Sequence, residues 1–207
     1  LQRLLNVNLL DLHAADVLNA QLPSSYDYTA VYDLVVFRRL AADGAEQDAR
    51  GKLPNVLKRI DTSPVGFLVF DRLLITVHPV GCGVHDHFVS RALGLGLAPE
   101  DALVRGAWVR APANPAELML RIINHMVDSY LDLRRLLTKH IGQLQQQLLG
   151  ATKRFNDWPS LLESRNALHL LEDTCEDQRS AVQEWIDALD DWPIPTEPQA
   201  AREREVL

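Results

Sequence analysis

Cysteine is nearly missing from this chain: Cys82 and Cys175 are the only two in 207 residues. They form no metal or redox motif, so a reducing compartment is the default, with a disulfide between them left open. No apolar run reaches about 18 residues, which leaves no segment to span a membrane as a helix. Leu1 to Leu10 is apolar but short and lacks a cleavage-like end, so it is no signal peptide. Basic residues are outnumbered 21 to 28, and the formal net charge of −7 argues against a general nucleic-acid surface. No glycine-rich phosphate loop follows a strand, and no nucleophile stands beside a base, so the chain does not read as an enzyme. The initiating Met is also lacking, which marks Leu1 as an internal start. What remains, 47% hydrophobic and 24% charged, is the composition of a soluble globular protein.

Length in a single helix is what the chain does have. From Pro115 to Gly150, apolar residues recur in steps of three and four, from Met119, Ile122 and Ile123 through Leu133 and Leu137 to Leu148. That spacing predicts a helix buried along one side. Pro115 fits its first turn, Asn114 can cap it, and Gly150 is a plausible stop. A second helical stripe, with Leu161, Leu168, Leu171, Val182 and Trp185, runs from about Trp158 to Leu189. The short connection predicts an antiparallel pair.

Upstream, Asn8 to Asn19 reads as a short amphipathic helix with Asn8 as a cap and Leu9, Leu12, Val17 and Leu18 as its apolar side. Tyr28 to Leu40 reads as one strand whose middle is covered on both faces, since Val35, Val36 and Phe37 are contiguous. Leu53 to Ile60, with Pro54, reads as a linker or edge segment. Val65–Phe70 and Leu73–Val77, separated by Asp71 and Arg72, predict an antiparallel hairpin. Asp86–Leu93 and Pro99–Arg105 read as short helices. Three prolines, Pro193, Pro195 and Pro198, break any helix before Ala200–Leu207 resumes helical composition and stops mid-pattern. The expected fold class is α/β (α+β): a mixed sheet flanked by helices, with the long antiparallel helical pair at the C-terminal side. Its divisions are a sheet domain at 1–112, the helical hairpin at 113–192, and a linker with the start of a truncated helix at 193–207.

His85-Asp86-His87, close to Cys82, is the most ligand-like cluster. It lacks four ligands at a defined spacing, and Gly81 and Gly83 make a solvated turn into a helix the better reading. Asp128 and Asp132 lie one turn apart and could share a cation, but Arg135 offers Asp132 a surface ion pair instead. The acidic run from Glu172 to Asp191 reads as a solvated face. His125, His140 and His169 stand singly on helices.

The order of these pieces resembles the cytoplasmic domain of the CorA-type magnesium and divalent-cation transporters. Ala15-Asp16-Val17-Leu18-Asn19 on its short helix, followed by a proline segment and the strand Tyr32–Arg38, is similar to the family's carboxylate-bearing helix and next strand. VGFLVFDRLLITVHP, Val65 to Pro79, resembles its paired central strands. IINHMVDSYLDLRRLLTKHIGQLQQQL, Ile122 to Leu148, with Val127, Asp128 and Tyr130, resembles its long helix, and the proline break before Ala200 its next helical start. The resemblance implies a homopentamer around a central ion pathway, on the cytoplasmic side of the inner membrane. It implies Mg²⁺ as both transported and regulatory ion, with zinc as the alternative in a zinc-transporting relative. The membrane part and its Gly-Met-Asn signature are absent from this chain. Asp16 matches an aspartate that helps bind a regulatory cation between protomers, although the family's usual acidic neighbour is Ala15 here. The rival reading from another class is a soluble helical-hairpin interaction module without a transport role.

Overall fold

A computed structural model of the chain describes residues 8–41, 60–93, 110–149 and 158–190. The expectations for the Pro54 segment, the Pro99 helix, the Gly150 stop and the proline-rich tail lie outside these residues. In order, the elements are α1 (Asp11–Leu18), β1 (Ser25–Tyr28), β2 (Asp33–Leu40), β3 (Thr62–Val69), β4 (Leu74–Val77), α2 (Gly83–Leu93), α3 (Pro115–Leu149) and α4 (Trp158–Asp190).

Helices and sheet combine as expected for the α/β class, but the pairing is simpler than a mixed sheet. The four described strands lie in the order β1-β2-β3-β4, and every pair is antiparallel. β1 returns into β2 and β3 into β4 within a few residues, as antiparallel neighbours can. The expected hairpin is present: Val69 pairs with Leu74, and Phe70 N–H donates to Leu73 O at 2.9 Å across Asp71-Arg72. The single strand expected over Tyr28–Leu40 is instead two. Thr29 ends β1, because its hydroxyl accepts the amides of Val31 and Tyr32 at 3.1 and 3.0 Å and turns the chain back on itself.

Side chains of β2 alternate between two layers. Val35 and Phe37, with Val65, Phe67 and Val69 of β3, pack on Met119, Ile122, Ile123 and Met126 of α3 and on Trp185 of α4. Leu34 and Val36, with Leu68 and Tyr32, face the other way, towards Leu9, Val17 and Leu22. This double coverage explains a strand with no polar alternation.

The helix α1 starts later than expected. Leu10, not Asn8, is its N-cap, and no side chain caps it. Its inward face is also different: His13 is buried, whereas Leu12 and Leu18 are 66% and 77% exposed. The close approach of α1 to the sheet depends on Gly66, where a Cβ would lie 2.9 Å from Val17 Cγ1.

For α3 the local chemistry matches the sequence. Asn114 Oδ1 accepts the Glu117 amide at 2.7 Å, while Glu117 Oε2 accepts the Ala113 amide at 2.5 Å, a close variant of the capping box. Burial alone would raise the Glu117 pKa, but the Ala113 N–H, the Arg121 guanidinium and the Arg110 charge together hold it below the usual range. Leu133 and Leu137 then pack with Ala167 and Leu171 of α4, while Val182 and Trp185 meet the N-terminal half of α3. That reversed order makes the pair antiparallel. At its far end a cleft of about 720 Å³ opens between Leu144 and Leu148 on one side and Trp158, Leu161 and Leu168 on the other.

Two substitutions test this packing. Leu137, 4% exposed, should cost about 2–5 kcal/mol as Leu137→Ala in a denaturant titration. Gly66→Ala should cost about 1–3 kcal/mol by forcing α1 outward, where an open site would tolerate the methyl.

Candidate functional site

The position singled out from the sequence, Asp16, sits on the third quarter of α1 and is half-exposed. Among the described residues no hydrogen bond or ion pair holds its carboxylate. The helix beneath it is anchored by a residue that the sequence reading passed over. His13 is 2% exposed, with Nδ1 3.0 Å from the Tyr32 hydroxyl and Nε2 3.0 Å from Asp27 Oδ2. Tyr32 Oη also accepts the Leu10 amide at 3.1 Å. One tautomer satisfies every group: Tyr32 donates to Nδ1, and the Nε2–H donates to Asp27. The available signal was the spacing Leu9, His13, Val17, four residues apart, which is the face that meets the sheet. The outward face of the same helix carries Leu12, Ala15 and Leu18, all exposed.

The His85-Asp86-His87 cluster is divided by the helix it begins. Residues two apart on a helix point about 200° from each other at ~3.6 residues per turn, so the rings diverge. His87 stacks on His125 of α3, with centroids 4.1 Å apart and planes within 6°. They border a small cavity of about 250 Å³ that also receives Arg39 and Ser129. Burial, then His125 and Arg91, lowers the His87 pKa. His85 turns the other way, bonding its neighbour Asp86 at 3.0 Å, and its ring lies 4.5 Å from that of His78. Cys82 is buried and Cys175 exposed, both free.

The remaining carboxylates behave as a solvated surface. Asp132 accepts from Arg135 at 2.9 Å, both exposed, which is the surface ion pair the sequence offered. On α4, Glu176 pairs with Arg179 and Gln183 with Asp187 along the same helix. Among the described residues no group of three His, Cys, Asp or Glu could hold a metal ion.

One buried acid stands apart. Asp33, at the head of β2, has its pKa raised by burial, an effect partly offset by the Tyr26 hydroxyl 3.5 Å from its Oδ1 and by the neighbouring Trp185 indole. The same neighbourhood pushes the Tyr26 hydroxyl upward, through burial first and Asp33 next. A carboxyl whose folded pKa exceeds its unfolded value favours folding in acid and loses that contribution as pH rises through the folded pKa. Asp33→Asn should accordingly raise the melting temperature at pH 7, and the gain should vanish near pH 3, below the unfolded carboxyl value of about 3.9. Thermal melts of both proteins across that range check it; a mutant less stable than wild type at pH 7 would contradict it.

A comparison with curated proteins finds no match to this chain. The family model described as CorA-like Mg²⁺ transporter protein matches residues 1–205.

Proposed function

The chain belongs to the CorA-like Mg²⁺ transporter family, and we propose from that premise that it is the cytoplasmic regulatory portion of a divalent-cation transporter, sensing Mg²⁺ where protomers meet. The observation that carries this reading is the family match over residues 1–205. No helix among the described residues is long and apolar enough to cross a membrane, so the described part is not itself the pathway through one as a helical span.

The placing of Asp16 supports the regulatory step. Mg²⁺ takes oxygen ligands, gives up its water reluctantly, and is usually held by one or two carboxylates. A single half-exposed carboxylate beside the outward apolar face of Leu12, Ala15 and Leu18 suits a site that a second protomer completes. Each chain carries a formal charge of −7, so neighbouring protomers repel. A cation shared between them offsets that repulsion and selects the closed arrangement, and its loss loosens the assembly. The homopentamer around a central pathway belongs to the same proposal.

The experiment is Mg²⁺-dependent protection of the full-length transporter against proteolysis. Removing one charged ligand, worth roughly 1.5–3 kcal/mol, should make Asp16→Ala require at least about tenfold more Mg²⁺ for the same protection. Superimposable curves for mutant and wild type would rule out Asp16 as a sensing ligand.

A further inference from the structure

The turn between β4 and α2 brings two imidazoles together. His78 follows the last residue of β4, and His85 lies in the first turn of α2. Gly81, with φ of +74°, gives the intervening chain the left-handed step that folds α2 back against the strand end. The two ring centroids end 4.5 Å apart, with planes tilted by 34°.

Their hydrogen bonds fix which nitrogen carries the proton. His78 Nδ1 lies 3.1 Å from the Pro79 carbonyl, and His85 Nδ1 lies 3.0 Å from Asp86 Oδ1. A carbonyl and an ionised carboxylate only accept, so each Nδ1 must be the donor. Each Nε2 is then left with a lone pair, and among the described residues neither Nε2 makes a hydrogen bond. This is the arrangement by which metal-ligating histidines are oriented: Nδ1–H to a carbonyl or carboxylate, Nε2 to the ion. Nitrogens bound to one Zn²⁺ at about 2.0–2.1 Å lie no more than about 4 Å apart, a spacing of the same order as the 4.5 Å between the two ring centroids.

We propose that His78 and His85 form a binding site for a divalent transition-metal ion of the Zn²⁺ class, with Asp86 as the carboxylate that orients His85. Imidazole nitrogen selects such borderline ions over Mg²⁺, which requires oxygen. No third side chain joins the pair among the described residues, so water completes the coordination and exchanges freely. The site is independent of Asp16 and of the reading built on it. It differs from the cluster visible in the sequence, because His87 is committed to its stack on His125.

The test is calorimetric titration of the purified 207-residue chain with Zn²⁺ alone, at neutral pH in a non-chelating buffer. One ion should bind at this site, and excess Mg²⁺ should not displace it. His78→Gln and His85→Gln should each weaken binding by about tenfold or more, and Asp86→Asn by about tenfold, the usual effect of losing an orienting partner. His87→Gln should leave the Zn²⁺ affinity unchanged. Long-range ¹H–¹⁵N spectra of the wild-type chain give a second readout that needs no variant. His78 and His85 should both show the Nδ1–H tautomer before zinc and shift at Nε2 with it. Unchanged affinity in both His78→Gln and His85→Gln, ready displacement by Mg²⁺, or zinc shifts confined to other histidines would overturn the site.

Discussion

Both long helices are tied to the sheet at one residue, Arg38, through its backbone carbonyl. Near the end of β2 its carbonyl lies beyond the reach of β1, which begins only at Ser25 opposite Val36. Extending that register places Pro23, which has no N–H, opposite Arg38. The oxygen is satisfied by both long helices instead: the Tyr130 hydroxyl of α3 donates at 2.9 Å and the Gln178 amide of α4 at 2.7 Å. Burial pushes the Tyr130 pKa up to about 12, so the phenol stays a donor throughout the physiological range. The guanidinium of the same residue binds Leu22 O and Thr62 O at 2.7 and 2.8 Å, joining the α1–β1 connection to the start of β3. Leaving a buried carbonyl unpaired costs about 1–3 kcal/mol. The two helices are therefore positioned on the sheet by a polar requirement as well as by apolar burial.

That junction shows why some of the fold was legible in the sequence and some was not. The stripe of α3, its Asn114 cap and the β3–β4 hairpin arise from residues close together in the chain, where periodicity and turn chemistry suffice. The double burial of Val35, Val36 and Phe37 could be read too, because a strand covered on both faces has no polar alternation to hide it. Tyr130 was visible as a stripe position and as part of a family resemblance; its bond to a carbonyl 92 residues away has no local signature. The same holds for the split at Thr29, where one hydroxyl outweighs a run of strand-forming residues. On α1, the choice between burying Leu12 and burying His13 was made by Asp27 and Tyr32, neither of them in the helix.

Candidate chemistry followed the same rule. Asp16 was found by likeness to a family, and in the structure it stands half-exposed on α1. The histidine cluster was found by composition, and the helix geometry then gave each ring a different partner. His85 gains His78 from across the Gly81 turn, and His87 gains His125 from α3. Sequence neighbours were the wrong pairing because a helix sends residues two apart to opposite sides, while a tight turn brings residues seven apart together.

The two cation-binding positions proposed here suit different ions, one offering carboxylate oxygen and the other imidazole nitrogen, yet they share a seat. Val17, next to Asp16, packs over Gly66, and Gly66 pairs with Val77, next to His78. A Cβ at Gly66 would come within 2.9 Å of Val17 and 3.7 Å of Val77. So little space over Gly66 leaves room for no side chain there, and that is what holds α1 close to the sheet. Gly66 thus sets how closely α1 lies over the sheet, opposite a residue, Val77, that adjoins His78.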